Sequence, residues 1–139
     1  GGYTIIKPTS GNDPKVILVS TGSEVYIAVD AAKILNDEGI PTSVVSMPCT
    51  NLFDEQSIEY KKSVFLLIIV VISLEASSVE GWAKYSHYQI GMKEFGKSAP
   101  FEKVYEYFGF TPKAVSQKSK DVLKHFEGKQ IPWIMDFPQ

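Results

Sequence analysis

Between Lys15 and Met47 the apolar and polar positions follow two different rhythms in turn. Lys15-Val16-Ile17-Leu18-Val19-Ser20 is a short β-branched run, the pattern of a strand covered on both faces. Thr21-Gly22-Ser23-Glu24 turns the chain, and from Val25 the period becomes helical, with Val25, Ala28, Val29, Ala32 and Leu35 on one apolar stripe. Tyr26, Asp30, Lys33 and Asp37 fall on the opposite side, where Lys33 is spaced to pair with either aspartate. Gly39 stands where a left-handed cap is needed, and Pro41 prevents the helix continuing. Thr42 to Met47 is a second β-rich run. The pattern predicts a strand–helix–strand unit, with parallel strands joined by a right-handed crossover.

The rest of the chain is read around that unit. Tyr3 to Ile6 is expected to be a short edge strand, antiparallel to the others. The cluster Pro8-Thr9-Ser10-Gly11-Asn12-Asp13-Pro14 is a loop. After Met47-Pro48-Cys49, either Asn51 or Asp54 can cap a helix running to about Ser63. Val64 to Ser73 holds a third strand, apolar enough for a central, doubly covered position. Ser77 to Tyr88 is expected to form a short helix carrying Val79, Trp82, Ala83 and Tyr85, with Tyr88 to Met92 as a fourth strand. Ser98-Ala99-Pro100 starts a helix that Gly109 closes. Thr111-Pro112 starts another, with Val115, Val122, Leu123 and Phe126 buried and Gly128 at its end. The apolar tail from Ile131 to Pro138 should dock on the body. The fold class expected is α/β: one three-layer α/β/α domain over residues 1–139, with a mostly parallel sheet of about five strands.

Composition narrows the function classes. A chain of 139 residues is one domain with a sound core, and 44% hydrophobic with 22% charged residues is ordinary for a globular protein. A net charge of -2 leaves no basic field for nucleic acid. The single cysteine, Cys49, permits no internal disulfide and fits a reducing compartment, so a cytoplasmic location is expected. The longest apolar run, Val64 to Ile72, is nine residues, whereas a membrane span needs about 20. No signal-peptide pattern is visible, and Gly1-Gly2-Tyr3 has no initiator Met, so we expect a processed product or a fragment of something longer.

Few residues suggest chemistry. Gly22, Ser23 and Glu24 lie where a parallel strand ends and a helix begins, a place that favours anions. The turn lacks the three spaced glycines of a dinucleotide fingerprint and the lysine of a phosphate loop. The simpler reading, which we prefer, has Ser23 capping the helix and Glu24 complementing its dipole. Glu75 ends the third strand, yet a solvated carboxylate there would be ordinary. His87 follows Trp82 and Tyr85, and a hydrogen-bonded packing role is the default. His125 near a helix C-terminus is simply stabilising. Cys49 has no neighbouring histidine to activate it. Two distant histidines and one cysteine make no metal-ligand spacing. Tyr105, Tyr107, Phe108 and Phe110 read as core. Residues alone assemble no catalytic constellation.

Several stretches together resemble a family. Ile17-Leu18-Val19-Ser20-Thr21-Gly22-Ser23-Glu24-Val25, Val44-Val45-Ser46-Met47-Pro48, Phe53-Asp54-Glu55-Gln56, Glu59-Tyr60 and Ser73-Leu74-Glu75-Ala76 are similar to the C-terminal, third domain of transketolase. Gly81-Trp82-Ala83-Lys84-Tyr85-Ser86-His87, Phe95-Gly96-Lys97-Ser98-Ala99-Pro100 and Phe108-Gly109-Phe110-Thr111 continue the series, and the Gly-Gly-Tyr opening also fits. The flavour is fungal. The resemblance implies a parent enzyme of the pentose phosphate pathway, a transferase that moves two-carbon ketol units between sugar phosphates. It implies a homodimer using thiamine diphosphate with Mg or Ca, held by the first and middle domains.

The third domain contributes neither the main cofactor ligands nor the catalytic histidines in that family, and its role is structural or regulatory. The Gly-Asp-Gly segment of the first domain and the glutamate context of the middle domain are absent from this chain. No catalytic, cofactor or metal residue is therefore carried over, and the expected partners are the parent's remaining domains, not nucleic acid or membrane. The chain departs from the family at Val64 to Ile72, where a polar turn of the Leu-Pro-Asp kind is usual. We expect Phe65 to Val71 to be less exposed than that turn, as added strand or packed against a neighbour. Two other readings stand beside this one: a free-standing anion-binding regulatory module using the Gly22 turn, or the C-terminal domain of a related thiamine enzyme such as dihydroxyacetone synthase or a keto-acid dehydrogenase subunit.

Overall fold

Strand pairing organises the chain around its second strand. In the computed structural model, which describes residues 1–78, 81–92 and 110–136, the elements run in the order β1 (Tyr3–Ile6), β2 (Val16–Ser20), α1 (Val25–Asp37), β3 (Thr42–Ser46), α2 (Thr50–Asp54), α3 (Ile58–Val64), β4 (Val70–Ser78), β5 (Tyr88–Met92) and α4 (Pro112–Phe126). The described strands form one sheet in the order β1-β3-β2-β4-β5. β3, β2, β4 and β5 are parallel, and β1 pairs antiparallel with β3 at the edge. All five residues of β2 are buried, as a continuous β-branched run between two helical layers demands.

Alternation along β2 divides the core. Val16 and Leu18 join Val44, Ile72 and Leu74 in a cluster under α1 and α4, while Ile17 and Val19 join Val45 and Val71 on the other face. That second face is covered by Phe53 of α2, Val64 of α3, Phe65, Trp82, Tyr85 and the tail residues Ile134 and Met135. Helices or tail therefore cover both sides, giving the expected three layers. Trp133 Nε1 donates to the Phe65 carbonyl at 2.7 Å and pins the tail.

The helices depart from their sequence pattern in instructive ways. α1 buries Ile27, Ala28, Ala31, Ala32 and Leu35, while Val25 and Val29 are only half-buried. The buried arc is rotated because α1 packs against both the sheet and α4, and Ser116 and Ser119 of α4 are buried small residues suited to close approach. Lys33 forms no ion pair with Asp30 or Asp37; among the described residues the ion pairs are Lys84–Asp54 and Lys120–Glu38. Gly39 does adopt the left-handed conformation, φ 82°. Asn36 then ties the helix end to β3, accepting from Thr42 N at 2.9 Å and donating to its carbonyl at 3.1 Å.

The single helix expected to end near Ser63 is two, α2 and α3. Neither Asn51 nor Asp54 caps: Ser57 caps α3, accepting from Tyr60 N at 3.2 Å, and Asp54 is engaged elsewhere. The third strand begins at Val70, not Val64. Its partner β2 starts at Val16, which pairs with Val70, so earlier residues have no neighbour to bond. Residues 65–69 form a turn instead, with Ile68 at φ 66°. Phe65, Val70 and Val71 are buried and Leu66 and Ile69 half-buried, so most of the run is covered as expected, while Leu67 and Ile68 at the tip of the turn are exposed.

β4 continues to Ser78, so Glu75 lies within the strand and does not end it. Residues 81–85 form turns in place of a short helix, yet Trp82 and Tyr85 are buried as expected and Ala83 is exposed. β5 and α4 form where predicted. Thr111 caps α4 by accepting from Ala114 N at 3.1 Å, with Pro112 in the first turn. Val79, the helix expected from Pro100 to Gly109, Tyr105, Tyr107, Phe108 and Pro138 lie outside the described residues. Among the described residues no helix is long and apolar enough to cross a membrane.

Candidate functional site

β3 and β4 lie on opposite sides of β2, so the winding reverses at β2. Ligands of open α/β sheets bind outside the carboxyl ends of the strands at such a reversal. The residues there are Thr21, Gly22, Ser23 and Glu24 after β2, and Glu75 on β4. Ser20 Oγ donates to the Leu74 carbonyl at 2.9 Å, closing the floor between the two strands. Gly22 has φ 59°, and nothing lies within 4 Å of where its Cβ would be, so the glycine serves conformation and not space.

Gly22–Glu24 forms one 3-10 turn that leads directly into α1. Ser23 is not a side-chain cap. Its hydroxyl donates instead to Glu24 Oε1 at 3.3 Å, and neither helical segment has a side-chain cap bond. Glu24 is 5% exposed, and its turn packs against β4. A buried carboxylate at a helix N-terminus suits the dipole, and the same negative charge opposes an incoming anion. Glu75 is half-buried and aligned with Gly91 of β5. The electrostatics at the strand ends are thus acidic.

His87 is a packing residue. Its Nδ1 accepts from Val71 N at 2.9 Å, so Nε2 carries the proton it donates to the Pro132 carbonyl at 2.7 Å. Burial pushes the imidazole below its ordinary value, and the bond to Pro132 offsets this only in part. Both nitrogens are occupied, leaving none for a substrate or metal. His125 is exposed, its ring 5.2 Å from Phe126, and His87 lies 5.6 Å from the same ring. The two histidines thus flank Phe126 beside a cleft of about 370 Å³, a proximity that sequence reasoning missed. Only the packing of α4 on β5 creates it.

Asp54 gathers a second polar group. Tyr85 Oη donates to its carboxylate at 2.8 and 2.9 Å, and Lys84 Nζ lies 3.0 Å away. Burial alone would raise Asp54, but the bonds from Lys84 and Tyr85 outweigh it and hold the carboxyl below the usual range. Tyr85 is pushed up to about 12 by burial and by the adjacent carboxylate, which keeps its phenol neutral. Cys49 is half-buried at the start of α2, its N–H donating to the Gly1 carbonyl at 3.2 Å. Among the described residues no three His, Cys, Asp or Glu side chains are grouped to hold a metal ion.

Comparison with known proteins gives a consistent answer. The family described as the transketolase-like C-terminal domain matches residues 1–111. Transketolase 1 of Candida albicans is 43% identical over 131 residues, covering 94% of this chain and 19% of its own length. The chloroplastic transketolase of Solanum tuberosum is 47% identical over 126 residues, covering 88% of this chain and 17% of its own. The crystal structure of a transketolase from Pichia stipitis in complex with sedoheptulose 7-phosphate superposes with a TM-score of 0.91 at 38% identity, covering 100% of this chain and 20% of that one. The chain spans about a fifth of the length of the relatives it matches.

Proposed function

Since the chain belongs to the transketolase family, matching its C-terminal domain, we propose that residues 1–139 are one domain of a longer enzyme that transfers two-carbon ketol units between sugar phosphates. The observation that carries this reading is the overlay of the whole chain on one fifth of a transketolase at a TM-score of 0.91. Every relative and structure named above is a transketolase, which favours this parent over a dihydroxyacetone synthase or a keto-acid dehydrogenase. In this reading the parent is a cytoplasmic homodimer of the pentose phosphate pathway, and the other domains are this chain's partners.

Thiamine diphosphate with Mg or Ca belongs to the parent enzyme in this proposal. The described residues do not fit that group. A divalent ion needs several oxygen ligands converging on one point, and among the described residues no three His, Cys, Asp or Glu side chains are grouped to supply them. Proton transfer on the sugar needs a histidine with a free nitrogen, and His87 has none. The family resemblance supports reading the domain's contribution as structural or regulatory. Gly22, Ser23 and Glu24 remain the turn through which a regulatory anion would act, weakly, because Glu24 opposes it.

Two measurements test the proposal. The purified chain, assayed with xylulose and ribose phosphates in the presence of thiamine diphosphate and magnesium, should show no turnover. Titration calorimetry should show no micromolar cofactor binding. Turnover or tight binding would overturn the assignment as a non-catalytic domain. Phosphate titration followed by amide shifts locates the anion site, and shifts away from residues 22–24 would remove that turn from consideration.

A further inference from the structure

Among the described residues the buried serine and threonine hydroxyls have partners, with one exception. Ser20 donates to the Leu74 carbonyl, Thr42 to that of Ile40, Ser86 to the Ser73 hydroxyl, Ser116 to the Lys113 carbonyl and Ser119 to that of Val115, all at 2.8 or 2.9 Å. Ser43 is 6% exposed, yet its hydroxyl bonds to none of the described residues. No side-chain polar atom among them is both sealed in and without a partner, so the Ser43 hydroxyl reaches open space. The space that it lines is a cleft of about 440 Å³. A hydroxyl held that deep without a bond calls for a polar group entering from outside the chain.

The cleft lies on the face of the sheet that carries Val45, where β3 begins and α3 ends. Ser43 stands two residues before Val45 on β3, and Thr4 of β1 pairs with Val45, so both hydroxyls lie on that face. Thr4 is half-buried and its side chain is also unbonded among the described residues. Ile17, Val64 and Leu66 supply apolar walls. At the mouth stand exposed Lys7 and Asp13, opposite charges that form no ion pair with each other or with any described residue. The complementary ligand carries a carboxylate for Lys7, an ammonium for Asp13, and a hydroxyl on a short aliphatic stem for Ser43 and Thr4. A phosphate would be repelled by Asp13, and a wholly apolar molecule would leave Ser43 unbonded. A protein surface laid over the mouth would not reach a hydroxyl so little exposed, whereas a small molecule enters. We propose that this cleft binds a free α-amino acid with a short hydroxylated side chain.

The test uses the 139-residue chain, whose two core clusters are built from its own residues. L-Threonine titrated into the isotope-labelled chain should saturate in the millimolar range and shift the amides of residues 4, 7, 13, 43 and 64–66. L-Valine has the same shape without the hydroxyl, and should bind about tenfold more weakly. Ser43→Ala should abolish that preference for threonine over valine. The same variant should leave the thermal midpoint unchanged or raised, because an unpartnered hydroxyl contributes no bond to the fold. Lys7→Glu should weaken both amino acids alike, since each presents the same carboxylate. Absent shifts, equal affinity for the two amino acids, or a preference that survives Ser43→Ala overturns the proposal. So does a lowered midpoint in Ser43→Ala, which would place the hydroxyl in a bond within the chain. Tighter binding of xylitol or inorganic phosphate at the same amides would overturn it as well.

Discussion

His87 and Val71 bond to each other twice. The Val71 N–H donates to His87 Nδ1 at 2.9 Å, and the His87 N–H donates to the Val71 carbonyl at 2.7 Å. The imidazole thus supplies the acceptor just before β5 begins, where no β5 carbonyl reaches Val71 N. Its other nitrogen reaches Pro132, so one side chain joins β4, the start of β5 and the C-terminal tail.

This arrangement makes stability depend on acidity. Burial depresses the His87 value below its ordinary 6.5, so near that pH the unfolded chain binds a proton that the folded one refuses. Stability should therefore fall as pH drops through about 6.5 and continue falling to the depressed folded value. His87→Leu should cost about 1–3 kcal/mol at neutral pH, because Val71 N–H loses its acceptor. The same variant should flatten the slope below neutrality. Urea unfolding of both proteins across that range is the measurement; parallel slopes would refute the assignment.

Tyr85 should titrate late. Its phenol is pushed up to about 12 from an ordinary 10.0, so above pH 10 the unfolded chain loses a proton that the folded chain keeps. Stability from this group is complete below pH 10 and is lost as pH rises towards 12. Tyrosinate absorbance should show a phenol that ionises only near pH 12, a component that Tyr85→Phe removes. That variant should also cost about 1–2 kcal/mol by taking a hydrogen bond from a carboxylate.

Ile68→Gly should stabilise the fold. Removing a left-handed β-branched residue recovers about 1–2 kcal/mol, and the added freedom of glycine in the unfolded chain offsets about 0.5–1 of it. Thermal unfolding should show a modest rise in midpoint. A fall would mean that the Ile68 side chain contributes packing within its own chain despite its exposure.

Thr111→Ala should destabilise by about 1 kcal/mol through loss of the bond to Ala114 N. Because α4 packs on α1 and the sheet, the loss should appear in global unfolding, not as local fraying. Hydrogen exchange along α4 separates the two outcomes: protection lost only in its first turn would contradict the prediction.

By itself, the sequence determined the parallel strands, α1, α4, the antiparallel edge and the family. These rest on local signals: the unbroken run Val16–Ser20, the helical period after Val25, Gly39 and Pro41 at a stop, and Thr111-Pro112 at a start. Tertiary structure alone decided where β4 begins. An apolar run carries no mark of register, and only the pairing of Val16 with Val70 divides turn from strand within it. It also decided which face of α1 is buried, because α4 arrives from a distant part of the chain. The roles of Ser23, Asp54 and His87 were settled in the same way. Short side chains at a turn look alike in sequence, whereas Ser23 meets Glu24, Asp54 meets Tyr85, and His87 meets Val71 and Pro132 only once the layers have packed.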